Sequence, residues 1–213
     1  MTRPPSLLSV KLLIATRNEG KIREMRDLLT GLPFAIAFPA DRFLERLPEE
    51  ADVERGTSFV ENAVAKARYF AKRSGFPTLA EDSGLEVDAL QGQPGVHSAR
   101  FAAMYGEGSD AANNALLLER LLGVPEEGRT ARYRCVVAYL ETPGAKPQLV
   151  EATCEGRILT APRGDGGFGY DPLFWCNDLG MTFAEAPLAA KQRVSHRGRA
   201  VRALIEVLLR RST

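Results

Sequence analysis

The segment VKLLIATRNEGKIREMRDLL, residues 10–29, sets two periodicities back to back. Its first seven residues form the compact apolar run of a buried strand. After the polar loop RNEGK, Ile22, Met25, Leu28 and Leu29 recur at helical spacing. The chain therefore opens strand, loop, helix. FAIAF (34–38) reads as a second strand. SFVENAVAKARYFAKRSG (58–75) reads as a helix with an apolar stripe of Val60, Ala63, Val64, Ala67, Phe70 and Ala71. Ser58 followed by Glu61 is a capping-box pattern, and Gly75 is a stop signal.

PTLAEDSGLEVDAL (77–90) predicts a short strand, a loop holding Glu81 and Asp82, and an alternating set Leu85, Val87, Ala89. SDAANNALLLERLLG (109–123) predicts a helix. ARYRCVVAYLET and QLVEATCEGRIL alternate with period two around PGAKP and predict a long hairpin. Ser195 caps a final helix with Val201, Leu204, Ile205, Leu208 and Leu209 on one face. Helices separated by isolated strands and a hairpin indicate an α/β fold with a mixed sheet in a single domain, 1–213.

Bulk properties exclude several classes. The 213 residues carry a net charge of +1, so no global field draws the chain to nucleic acid or anionic membrane. No apolar run approaches the roughly 20 residues of a membrane span. The start, MTRPPSLLSV, has too short an apolar run for a secretory signal. Cys135, Cys154 and Cys176 are odd in number and show no C-x-x-C pair, which points to a reducing, cytoplasmic compartment and to core thiols.

Four stretches could carry chemistry. GDGGFGYDPLFW (164–175) begins with G-x-G-x-x-G, but TAPR precedes it and Tyr170-Asp171-Pro172 follows, a turn where a dinucleotide fingerprint needs an opening helix. Its glycines still permit close approach by a ligand. Phe168 could stack on a base, and Asp171 could accept from a base N–H. ATRNEGK (15–21) is a polar loop between a strand end and a helix start, suited to phosphate, with Lys21 as a mobile cation; an ordinary strand-to-helix turn is the alternative. Glu54 and Asp82 could supply the one or two carboxylates that magnesium takes from protein. The adjacent Glu81 and Asp82 repel unless a cation or proton intervenes. In KQRVSHRGRAVR (191–202), His196, Arg197 and Arg199 fall in a helix's first turn, where cations oppose the dipole, so an electron-rich group nearby would explain them; a solvated basic face is the alternative. His97 stands alone and reads as structural.

In order along nearly the whole chain, IATRNEGKIREM, SFVENAVAKA, LAEDSGLEVDALQGQPGVHSARF, GGFGYDPLF and KQRVSHRGRA resemble the inosine triphosphate pyrophosphatase family. The resemblance implies a magnesium-dependent homodimer. It implies an elongated fold with a central mixed sheet flanked by helices, and two lobes with the active site in the cleft between them. ITP, dITP and XTP would be cut to the monophosphate and pyrophosphate. Carried over by position, Thr16, Arg17, Asn18, Glu19, Gly20 and Lys21 would hold the triphosphate. Glu54 and Asp82 would hold the metal, Asp82 would also accept the proton, and Ser83 would touch substrate. Phe168, Gly169, Tyr170 and Asp171 would receive the base, with Lys191, His196 and Arg197 completing that pocket.

The chain departs from the family's pattern at Arg17, Glu81, Arg55, His97 and Ala190. Rival readings are a pyrophosphatase for other triphosphates, a non-catalytic nucleotide sensor, and a nucleic-acid binder using the Arg-rich final helix.

Overall fold

The computed structural model describes residues 11–32, 34–106 and 108–211. The start MTRPPSLLSV, including Val10 of the first expected strand, lies outside the described residues. Strand β1 is Lys11–Ile14, and Leu12, Leu13 and Ile14 are fully buried. It is buried on both faces because it is interior to the sheet. It pairs in parallel with β2 (Ala35–Ala37), Leu12 opposite Ile36, and with β3 (Thr78–Val87), Leu13 opposite Thr78.

Strands β4 (Thr130–Leu140) and β5 (Gln148–Ile158) are the two arms expected around PGAKP and are neighbours in the sheet. The short strands β6 (Phe174–Cys176) and β7 (Met181–Thr182) add antiparallel edges, Gly156 facing Cys176 and Trp175 facing Thr182. The seven strands run in the order β2-β1-β3-β4-β5-β6-β7, a mixed sheet as expected. The helices are α1 (Glu19–Leu28), α2 (Phe59–Ser74), α3 (Asp110–Arg120), α4 (Leu188–Val194) and α5 (His196–Arg211).

Several expectations need correction. Glu81 and Asp82 are not in a loop: β3 runs unbroken for ten residues and nearly all of it is buried. The DSG sequence suggests a turn, but pairing in the sheet interior overrides local turn preference. Ala89 falls outside the strand, in a 3₁₀ turn at Asp88–Leu90. On α2 the buried face is Phe59, Asn62, Ala63, Lys66, Ala67, Phe70 and Ala71, whereas Val60 is exposed. The face is thus rotated from the apolar stripe, and two polar residues occupy its inner side. The capping of α2 matches expectation: Ser58 accepts from the Glu61 N–H, and Gly75 closes the helix at φ +70°. The helix α4, seven residues long, is too short to be visible as periodicity.

The chain divides into two compact units. The first takes Met1–Asp82, Val136–Val150 and Leu204–Thr213; the second takes Ser83–Cys135 and Glu151–Ala203. The chain changes unit within β3, β4, β5 and α5, never in a connecting loop. The second unit has a core of Leu85, Val87, Leu117, Leu121, Tyr133, Ile158, Leu173, Phe174 and Phe183, joined by the free thiols of Cys154 and Cys176. Their Sγ atoms lie 3.5 Å apart. No helix among the described residues is long and apolar enough to cross a membrane.

Candidate active site

In the first unit, β1 hands over to α1 through Ala15–Asn18. Thr16 is buried, and its hydroxyl accepts from the Asn18 N–H at 3.2 Å. Asn18 is the N-cap, accepting from the Lys21 N–H at 3.0 Å. The helix begins at Glu19, so Glu19, Gly20 and Lys21 form its first turn and not a loop. A helix start leaves its first N–H groups without helical acceptors and carries the positive end of the dipole.

Lys21 turns its ammonium to Glu81 at 3.0 Å. Lys66, reaching from the inner face of α2, donates to the Glu81 carbonyl at 2.9 Å and forms an ion pair with Glu54. Asn62, one turn earlier, donates to Asp82 Oδ2 at 2.9 Å. Burial alone would raise Glu54, but Lys66 and Lys21 outweigh it and hold Glu54 below the usual carboxylate range. Burial pushes Asp82 up, against the opposing pull of Lys21, Lys66 and Asn62 and aided by the charge of Glu54. A lysine therefore stands beside Glu81, the kind of cation that a buried pair of adjacent acids requires.

Asn62 and Lys66 were not singled out from the sequence. Their signal was spacing: both lie at helical register with Phe59, Ala63, Ala67 and Phe70, on a face that should be apolar.

Arg17 makes contacts that the resemblance does not include. Its guanidinium donates to Glu50 Oε1 at 2.5 Å and Oε2 at 3.0 Å, and to the carbonyls of Leu44 (2.7 Å) and Glu45 (3.2 Å). It also lies 5.7 Å from the Phe70 ring centroid. These contacts pin the loop around residues 44–50, and the guanidinium is already engaged. Arg55 pairs with Asp52 at the surface.

In the second unit, the Gly-rich stretch is a turn that leads into β6, as expected, and not into a helix. Phe168 is half-buried on it. The Lys191 ammonium sits 5.1 Å from its ring centroid and the Arg197 guanidinium 5.7 Å. Asp171 is buried. Its Oδ2 accepts from the Phe168 N–H at 2.9 Å and from Lys191 at 2.6 Å. That oxygen therefore helps to organise the loop. Gly167 has φ +75°, and a Cβ there would fall 2.0 Å from Asp171 Oδ2, so glycine is required both by backbone and by space. Tyr170 is buried and its hydroxyl donates to the Ser98 carbonyl at 2.9 Å.

Ser195 caps α5 by accepting from the Gly198 N–H at 3.1 Å. His196 and Arg197 follow in the first turn, both buried, which excludes the solvated-face alternative for them. His196 stacks on Tyr133 at 4.6 Å with the rings 8° from parallel. Arg197 donates to the Ser83 hydroxyl at 2.9 Å. Arg199 instead pairs with Asp178 at the surface. His97 is exposed in a 3₁₀ turn.

The first unit thus concentrates carboxylates and lysines at a helix start, chemistry for phosphates and hard cations. The second presents an aromatic ring beside two cations, chemistry for a flat, oxygen-bearing ring. The chain belongs to the Ham1 family, whose sequence profile matches residues 12–207. It is 52% identical over 193 residues to a dITP/XTP pyrophosphatase of Geobacter sulfurreducens, covering 90% of this chain and 92% of that one. It is 48% identical over 200 residues to a dITP/XTP pyrophosphatase of Thermus thermophilus, covering 94% and 92%. Among solved structures, a HAM1 protein from Coxiella burnetii superposes with TM-score 0.82 at 36% identity, covering 94% of this chain and 99% of that one. The Staphylococcus aureus Ham1 protein gives 0.79 at 33% identity, covering 95% and 100%.

Proposed function

We propose that the protein hydrolyses deaminated purine nucleoside triphosphates (ITP, dITP and XTP) to the nucleoside monophosphate and pyrophosphate. The observation that carries the reading is Asp82: a buried carboxylate, raised by that burial, and fixed at one oxygen by Asn62. Such a group is a better proton acceptor than an exposed aspartate, and it is already oriented. Relatives of that name at about half identity over nine-tenths of the chain supply the reaction class.

In this reading Asp82 positions a water and takes its proton as the water oxygen attacks the α-phosphorus. The bond from the α-phosphorus to its bridging oxygen breaks, and pyrophosphate leaves. Lys21 and the first turn of α1 neutralise charge that grows on the leaving group. The donor set of Glu54 and Asp82 is oxygen only, and Asp82 feels the charge of Glu54, which fits a hard divalent cation. Magnesium held by these two residues would supply further neutralisation of phosphate charge. Lys66 keeps Glu54 ionised.

Phe168 stacks the base. Donors from Arg197 and His196 meet a 6-oxo group and would be left unpaired by the amino group of adenine. Unpaired buried donors can separate substrates by up to about 10⁴–10⁵.

The test is incubation with ITP, dGTP and ATP plus magnesium, with pyrophosphate and orthophosphate assayed separately. Pyrophosphate from ITP is expected, with little turnover of ATP. Orthophosphate as the first product, or equal rates on ATP, would overturn the reading. Arg17→Met serves as a check on which groups meet the phosphates. It should lower stability by about 1–2 kcal/mol through lost charged hydrogen bonds, seen as a reduced melting temperature, and leave KM for ITP within about twofold. A large rise in KM with unchanged melting would return Arg17 to the phosphate site.

A further inference from the structure

Gly169 is clasped by two side chains from α3. Its N–H donates to Asp110 Oδ2 at 2.7 Å, and its carbonyl accepts from Asn114 Nδ2 at 2.8 Å. Asp110 and Asn114 are four residues apart and share one helix face. Gly169 has φ +61° and open space where a Cβ would stand, so packing does not impose its conformation. The two polar groups of this one residue are held by side chains from a single helix.

Asn114 makes this contact at a cost. Its Nδ2 is shared between Gly169 and the Asp110 carbonyl, while its Oδ1 is buried with no hydrogen-bond partner among the described residues. An unmet buried acceptor is unfavourable, and such orphans call for a reason beyond stability. The neighbouring feature that supplies one is Phe168. Its ring is only half-buried, so its orientation depends on the backbone on either side. The Phe168 N–H is fixed by Asp171 and the Gly169 N–H by Asp110.

We infer that Asp110 and Asn114 are positioning residues for purine recognition, locking the backbone of Gly169 and through it the ring of Phe168. This rests on the nucleotide-hydrolysis reading above and adds to it the residues that hold the base platform. The segment containing them, around residues 103–130, matches no motif behind the family resemblance.

The experiment compares wild type with Asp110→Ala and Asn114→Ala, and with Glu119→Gln on the same helix as a control. Losing one charged or shared hydrogen bond from the platform should raise KM for ITP about tenfold in each variant. Turnover at saturation should stay within about threefold of wild type, and inhibition by inorganic tripolyphosphate, which has no base, should be unchanged. Asp110→Asn keeps an acceptor at similar reach and should recover most of the loss. Calorimetric binding of inosine monophosphate separates this inference from the reaction itself. A wild type that binds the monophosphate but releases no pyrophosphate overturns the reaction alone; one that does not bind it overturns both. Variants that bind as tightly as wild type overturn the clasp. So does a parallel loss of tripolyphosphate inhibition, which would mark a general disturbance of the fold.

Discussion

Asp82→Asn is expected to lower ITP turnover by about 10²–10⁴-fold, the usual contribution of a positioned general base, while nucleotide binding weakens far less. The asparagine oxygen can still accept from Asn62, so the local geometry should survive. Stability should hold or rise. Burial raises the Asp82 carboxyl in the folded state, which means the folded protein favours its protonated form. For an acid so shifted, stability is fullest at low pH and falls as pH climbs past the unfolded value towards the raised folded one. At neutral pH the ionised side chain is therefore a burden on the fold, and a neutral amide relieves it. Turnover and melting temperature, measured together, should move in opposite directions. A variant with wild-type turnover would remove Asp82 from the chemistry. A variant that merely unfolds would show a lowered melting temperature.

The second large effect is expected at the Asp171–Lys191 pair. Both side chains are 4% exposed, and their ammonium and carboxylate lie 2.6 Å apart. Asp171→Ala leaves Lys191 without that carboxylate and frees the Phe168 N–H. Removing one partner of a buried pair costs about 3–5 kcal/mol. At roughly 2–4 °C per kcal/mol for a chain of this size, melting should fall by about 6–20 °C. The double variant Asp171→Ala with Lys191→Met should recover part of that stability, because it abolishes the stranded charge. It should not recover activity, since Lys191, the nearer of the two cations beside Phe168, is gone. Calorimetry with an ITP assay on the same samples reads both. Equal melting of the single variant and wild type would show that the pair is not the organising contact of the loop.

Much of the fold was legible because strand and helix periodicities alternate cleanly, as in Leu12–Ile14 followed by Ile22, Met25 and Leu28. Caps were legible because Ser58 and Gly75 carry their own local chemistry. The strand status of Glu81 and Asp82 was hidden, because Asp-Ser-Gly favours a turn locally and only the neighbouring strands impose extension. Asn62 and Lys66 were hidden for the opposite reason: helical spacing placed them correctly, but polarity argued that they should face water. Glu54 and Asp82 could be named as candidate magnesium ligands from residue type and position, and their assigned roles came with the family resemblance. What Arg17 and Asp171 touch could not, since their partners at Glu50 and Lys191 are distant in sequence. Asp110 and Asn114 were invisible as functional residues, because an Asx-rich helix start reads first as capping.

The four places where the chain changes unit all fall inside regular elements: β3 at Asp82, β4 at Cys135, β5 at Val150 and α5 at Ala203. Neither half is therefore a cassette that recombination could exchange, since any crossover that preserved one half would splice through ladders of backbone hydrogen bonds. Change in such a chain is left to point substitutions and to loop insertions, at tips such as Pro143–Pro147 where no ladder is interrupted.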